Sequence, residues 1–478
     1  MNSCNWIGGE WVAPTKETLN AIDPSRLDRQ IGVLHLSDAD MALQAAEAAR
    51  RALPEWAKLP GAKRGEYLHR MADLLNAHLE EIARLASSEM GKPIGEMRGE
   101  VMRGVYILRY YAGEGVRACG NVIPANGSDI LQYTKRVPLG VVAVITPWNF
   151  PVAIPIWKIA PALICGNTIV WKPAEMASLT ATRMARLFAE AQLPPGVLNL
   201  VVGKGSVIGN PLLEQGDLDG ASFTGSEAIG LRLAEICARR NIKYQAEMGG
   251  KNAAVVLADA DLAVTLPQLV SGAFRSAGQK CTATSRIIVE EPIYEALTEG
   301  LCQAVSSLQA GPALDEQSYM GPVASREQLE KVKGYGRMAE QEGTIIAEGR
   351  VSVDPLTGYY AAPKLVTRVP VRHALAQEEI FGPIAVILRA RDFQEALTYC
   401  NDTQYGLSAS LFTRDLTKAM RFFDEAQAGL LKVNQETAGV EYQAPFGGMK
   451  LSSSHSREQG TSALEFYSQV KTCAIYFG

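Results

Sequence analysis

No two of the eight cysteines form a C-x-x-C pair; Cys4, Cys119, Cys165, Cys237, Cys281, Cys302, Cys400 and Cys473 are scattered over 478 residues. That spacing excludes a zinc ribbon, leaves no metal site to expect, and does not suit a secreted disulfide framework. Reduced thiols in a cytoplasmic compartment fit it better. A basic excess is also missing: 47 Lys and Arg stand against 51 Asp and Glu, a formal charge of −4. Without a basic patch, nucleic acid is not an expected partner. Residues 1–12 lack the basic start and apolar run of a secretory signal. The most apolar stretch, residues 137–171, is interrupted by Pro147, Asn149, Pro151, Pro155, Lys158, Pro161 and Asn167. No span of about 20 apolar residues survives, so no membrane helix is expected. Internal repeats, low-complexity stretches and charged tails are absent too.

What remains is an ordinary soluble composition, 47% hydrophobic and 21% charged, in a chain long enough for two or three domains. The Ala- and Leu-rich pattern over 38–88 predicts helix with a break at Leu59-Pro60-Gly61, and a second helix runs over about 95–117. Alternation over 122–135 predicts hairpin strands on a solvent-facing ribbon. From residue 137 the texture changes to strand and helix in turn. Strands over 141–145, 168–171, 197–202, 218–223 and 243–248 alternate with helices over 154–163, 179–191 and 229–240, which predicts a parallel α/β sheet. Strands over 252–257, 287–290, 384–389 and 430–434 belong to a second α/β unit.

Several short motifs could carry chemistry. Gly278-Gln279-Lys280-Cys281-Thr282 sets a thiol just after a glycine turn and near a helical segment, 266–276. A thiolate there would be a strong nucleophile if amides or cations lowered its pKa. Taken alone, one thiol among eight reads more readily as a small buried apolar residue. Glu247 closes a strand and precedes Gly249 and Gly250, whose backbone freedom lets a carboxylate swing and activate water. Asn149, in Thr146-Pro147-Trp148-Asn149-Phe150-Pro151, could donate to an oxyanion or simply punctuate a turn. Lys172 and Glu175 lie just past a strand, where an acid can accept ribose hydroxyls and repel a 2′-phosphate. Gly225-Ser226 opens a helix, a geometry that offers amides to a pyrophosphate, though Gly225 to Gly230 lacks the usual G-x-G-x-x-G spacing. The glycine run 203–209 also lacks Walker spacing and reads as turn chemistry.

These motifs occur in a fixed order with Glu379-Ile380-Phe381-Gly382-Pro383 and Pro445-Phe446-Gly447-Gly448, and together they resemble the aldehyde dehydrogenase superfamily over nearly the whole chain. The resemblance implies a Cys281 nucleophile, an Asn149 oxyanion donor and a water-activating Glu247. It implies NAD as cofactor, with NADP possible, held by Lys172, Glu175, Gly225, Ser226, Trp148, Glu379 and Phe381. It implies a Rossmann-like cofactor domain (1–120 and 140–249), an α/β catalytic domain (250–450) and an oligomerisation ribbon with a C-terminal segment (121–139 and 451–478), in a homodimer or homotetramer. Phe150, Trp157 and Phe446 suit the wall of an apolar aldehyde funnel. Arg275 stands six residues before Cys281, where succinic semialdehyde dehydrogenases carry a carboxylate-binding Arg; Arg117 and Arg457 are further candidates. An Arg in an apolar funnel calls for an anion. Residues 452–460 and 281–286 most resemble the α-ketoglutaric semialdehyde (2,5-dioxopentanoate) dehydrogenases. Succinic or glutaric semialdehyde, and a broad aliphatic or aromatic range, are the alternatives. A structural protein on the same fold is the non-enzymatic one.

Overall fold

The β-branched runs Val141–Thr146 and Thr168–Pro173 are buried on both faces along nearly their whole length, as central parallel strands must be. They pair in parallel from Val141 with Thr168 to Thr146 with Pro173. In the computed structural model, which describes residues 1–14, 17–117 and 119–478, they form the middle of a seven-stranded sheet. Its order is Lys243–Glu247, Gly220–Thr224, Val141–Thr146, Thr168–Pro173, Leu198–Leu200, Asn5–Ile7 and Glu10–Val12. The first five strands are parallel and the N-terminal hairpin joins antiparallel. A second seven-stranded sheet runs Thr344–Glu348, Lys364–Thr367, Ile384–Ala390, Thr284–Glu290, Asn252–Val256, Ser408–Phe412 and Leu430–Val433, with only the first strand antiparallel. The expected parallel α/β architecture is therefore present, twice.

The helical stretch over 38–88 is three helices, Ala39–Lys58, Gly61–Ala77 and Leu79–Met90. The break at Pro60 was expected; the one at His78 has no Pro or Gly to announce it. Near the end of the third helix, buried Glu89 accepts from Leu179 N (2.7 Å), Thr180 N (2.9 Å) and Thr180 Oγ1 (2.6 Å), and so caps helix Ser178–Glu190. Burial pushes the Glu89 carboxyl up to about 7, against those hydrogen bonds.

The ribbon pairs Ile130–Pro138 with the C-terminal strand Ser468–Tyr476 over nine residues, with Val122–Ile123 on the other side. Its outer strand exposes Val470, Ile475 and Tyr476, an unprotected apolar edge of the kind that takes a partner. The free edge of Lys243–Glu247 is covered differently. Met248 N donates to Ser452 O (2.7 Å) and Ser454 N to Ala246 O (2.8 Å), so residues 452–454 strap that edge instead of joining the ribbon. Among the described residues, no helix is long and apolar enough to cross a membrane.

Candidate active site

Cys281 lies on an irregular loop of the second sheet. Helix Leu262–Phe274 ends early, and Ser276, Ala277 and Gly278 take left-handed φ values of 53°, 53° and 69° before the thiol. A Cβ at Gly278 would stand 2.3 Å from Gly382 O, so glycine is required there. Asn252 anchors the far side: its Nδ2 donates to Cys281 O (2.8 Å) and Ala283 O (2.9 Å). Asn149 follows Val141–Thr146 in the first sheet, is buried, and donates from Nδ2 to Gln279 O at 3.0 Å. The two sheets thus meet at the thiol and the amide.

A cavity of about 200 Å³ opens at this junction, lined by Trp148, Asn149, Thr224, Gly225, Ser226, Met248, Gly249, Cys281, Lys331, Glu379 and Phe381, among others. The Trp148 and Phe381 rings meet edge to face at 5.6 Å. Glu379 Oε1 accepts from Gly250 N at 3.0 Å, and a Cβ at Gly249 would collide with the same carboxylate. Thr224 Oγ1 is buried without a partner among the described residues, an orphan that a polar ligand in the cavity would satisfy. Ser226 precedes the 14-residue helix Glu227–Arg240, whose first amides face an anion well. At the carboxyl end of Thr168–Pro173, buried Lys172 Nζ stands 3.9 Å from Glu175, and Glu175 Oε1 accepts from Gly205 N at 2.7 Å. The glycine run 203–209, set aside from sequence as turn chemistry, borders this pair. This cleft along the carboxyl ends of parallel strands fits a dinucleotide.

The electrostatics are severe. Burial pushes the Cys281 thiol up to about 12, reinforced by the charges of Glu379 and Glu247. Burial, then the neighbouring Glu458, raises the Glu247 carboxyl well above the ordinary range. Against these, the Ser453 hydroxyl donates to Glu247 Oε2, and Lys158 and Arg457 also favour the ionised form. Lys158 and Glu458 form a fully buried ion pair, and Lys158 also donates to Ser222 Oγ at 3.0 Å. From sequence, Lys158 was only a break in an apolar stretch and Ser453 and Glu458 only part of the 452–460 segment; their contacts give them a place in the site.

The aldehyde-side candidates separate. The Trp157 and Phe446 rings lie 5.3 Å apart, and Phe446 packs in the small cluster that includes Cys281. Phe150 packs instead beneath Lys92, whose Nζ is 3.6 Å from the ring centroid. Arg275 departs from the expectation of a cation inside an apolar funnel: it is exposed, with its guanidinium 5.5 Å from the Tyr319 ring centroid. The helix ends at Phe274, so Arg275 caps it with extended backbone. Arg117 is corrected as well. It is 69% exposed, pairs with Glu114 at 2.7 Å, and lines a separate cleft at the foot of the ribbon. Arg457 flanks Gly447 on the Glu247 side, where its charge favours the ionised carboxylate.

Similarity to known proteins bears on the whole chain. The model of the aldehyde dehydrogenase family matches residues 11–473. The chain belongs to the aldehyde dehydrogenase family. This aldehyde dehydrogenase is 47% identical to the alpha-ketoglutaric semialdehyde dehydrogenase of Bacillus subtilis, covering 98% of this chain and 97% of that one. It is 40% identical to the alpha-ketoglutarate semialdehyde dehydrogenase of Haloferax volcanii, covering 98% of each. Betaine aldehyde dehydrogenase from Staphylococcus aureus, solved in complex with NAD+, superposes with a TM-score of 0.96 at 32% identity over 100% of this chain and 95% of that one.

Proposed function

We propose that this aldehyde dehydrogenase oxidises α-ketoglutaric semialdehyde (2,5-dioxopentanoate) to 2-oxoglutarate, with NAD as the favoured cofactor. The observation that carries the reading is the single cavity walled by Cys281, Asn149, Glu379 and Phe381 together. The substrate rests on the activities for which the two relatives above are named.

In this reading the Cys281 thiol gives up its proton to solvent, and the thiolate attacks the aldehyde carbon to give a thiohemiacetal. Asn149 Nδ2 and the Cys281 backbone N–H stabilise its oxyanion. When bound, NAD supplies the hydride acceptor. Trp148, Glu379 and Phe381 would hold its nicotinamide end, Gly225 and Ser226 the pyrophosphate, and Lys172 with Glu175 the adenosine ribose. Departure of hydride leaves a thioester on Cys281. Glu247 then takes a proton from the water that hydrolyses it. Because burial holds the Glu247 carboxyl well above its usual range, this last step quickens as pH rises.

Arg275 remains the candidate for the substrate carboxylate, as an exposed cation beside Tyr319. The first sheet serves as cofactor domain, the second as catalytic domain, and the apolar outer ribbon strand as the contact of a homodimer or homotetramer in the cytoplasm. A panel of kcat/KM values for 2,5-dioxopentanoate, succinic semialdehyde and a neutral aldehyde, with NAD and NADP, tests the reading. The highest value is expected for 2,5-dioxopentanoate with NAD; a neutral aldehyde in first place would overturn the substrate.

A further inference from the structure

The thiol and the oxyanion donor come from different sheets, so neither sheet sets the distance between them. One helix, Ile94–Glu114, touches both loops. Glu96, in its first turn, accepts from Ser276 N (2.9 Å) and Ser276 Oγ (2.7 Å) and pairs with Lys280 at 3.3 Å, just before Cys281. Glu100, four residues on and therefore on the same face, accepts on Oε1 from Val152 N (2.9 Å) and Ala153 N (3.1 Å). Its Oε2 takes Lys92 Nζ at 2.6 Å. Lys92 in turn donates to Asn149 O at 2.6 Å and covers the Phe150 ring.

The Lys92 and Glu100 side chains are 1% and 2% exposed. A buried ion pair is a poor source of stability, because desolvation offsets its attraction. Beyond each other, their hydrogen bonds go to backbone atoms of Asn149, Val152 and Ala153. What the pair accomplishes is to fix that segment.

We propose that Lys92 and Glu100 are positioning residues that hold the Asn149 amide at the Cys281 sulfur, with Glu96 on the same helix face keeping the nucleophile loop in register. The inference rests on Asn149 being the oxyanion donor.

A double-mutant cycle tests it. Single-turnover NADH formation with 2,5-dioxopentanoate is measured for wild type, Lys92→Met, Asn149→Ala and the double variant. Lys92→Met keeps the stem, and Glu100 keeps its two backbone donors. Loss of one oxyanion donor costs about 100–1,000-fold, so a misaligned one should cost about 10–100-fold in the wild-type background. In the Asn149→Ala background the same change should cost less than about twofold, because no donor remains to misplace. NAD affinity, read by fluorescence quenching, should not move. Glu100→Gln, which preserves shape and the Oε1 acceptor, should give the same pattern and serves in place of Lys92→Met if that variant does not fold. An equal loss in both backgrounds would overturn the proposal and mark the pair as merely structural. An Asn149→Ala variant with the wild-type single-turnover rate would instead refute the oxyanion role of Asn149, and the positioning role would fall with it.

Discussion

Changing Ser453→Ala should move the pH dependence of thioester hydrolysis without moving hydride transfer. Ser453 Oγ donates to Glu247 Oε2, and of the groups that favour the ionised carboxylate it contributes more than Lys158 or Arg457. A hydrogen bond to a charged group is worth about 1.5–3 kcal/mol, and one pKa unit corresponds to about 1.4 kcal/mol. Removing it should therefore raise the Glu247 pKa further. The working form is the carboxylate, which forms as pH rises. A higher pKa therefore shifts the rising limb of kcat to the alkaline side, and kcat at a fixed pH on that limb falls by about tenfold or more. The assay is kcat against pH alongside single-turnover NADH formation, which should change by less than about threefold. Gly448 N also loses its acceptor, so some thermal stability goes too. A limb that stays in place, or moves to the acid side, would refute the reasoning even if the protein were less stable.

Four further outcomes follow from the same structure. Glu175→Ala removes the acid beside Lys172 and should raise the kcat/KM ratio of NADP to NAD by about tenfold, since a repulsive charge is gone; an unchanged ratio would remove Glu175 from cofactor choice. Arg275→Ala should raise KM for 2,5-dioxopentanoate by at least about tenfold more than for a neutral aldehyde, the low end for a charge-assisted pair because Arg275 is exposed. Arg117→Ala, exposed and paired with Glu114, should leave both substrates unaffected. Glu89→Gln places an amide where two backbone N–H groups and a hydroxyl need an acceptor, at a cost of about 1–3 kcal/mol, read as a lower Tm. Because the folded-state pKa of Glu89 is raised to about 7, the folded protein holds that proton where the unfolded chain releases it. The wild-type advantage should be fullest below about pH 4 and decline as pH rises through 7; an advantage that grows with pH would contradict this.

How much of this could be read in advance differs by residue. Val141–Thr146 and Thr168–Pro173 were legible because continuous β-branched runs have one use in an α/β protein, a strand buried on both faces. Strand ends were less so: the expected 218–223 is Gly220–Thr224. The hairpin Glu17–Asp23 with Arg26–Leu36 and the strands Thr344–Glu348, Lys364–Thr367 and Ser408–Phe412 went unread, since mixed short runs do not separate strand from loop. At the site, Cys281 gained meaning only from the order of motifs around it. Ser453 and Glu458 stood in the 452–460 segment without a role of their own. They act on Glu247 and Lys158 across 206 and 300 residues, a proximity that only the fold creates. The exposure of Arg117 and Arg275 escaped the sequence for a related reason: spacing along the chain says where a residue is anchored, while the fold decides what its charge can reach.

The most direct test of the account is to trap the covalent intermediate. The Glu247→Gln variant, mixed with NAD and 2,5-dioxopentanoate, should release a burst of NADH of about one per subunit and then stall, because thioester formation survives and its hydrolysis does not. Mass spectrometry of the quenched protein should find the acyl group on the peptide carrying Cys281. Full turnover by that variant, a burst that persists in Cys281→Ala, or an acyl group on another of the eight cysteines would contradict the central claim.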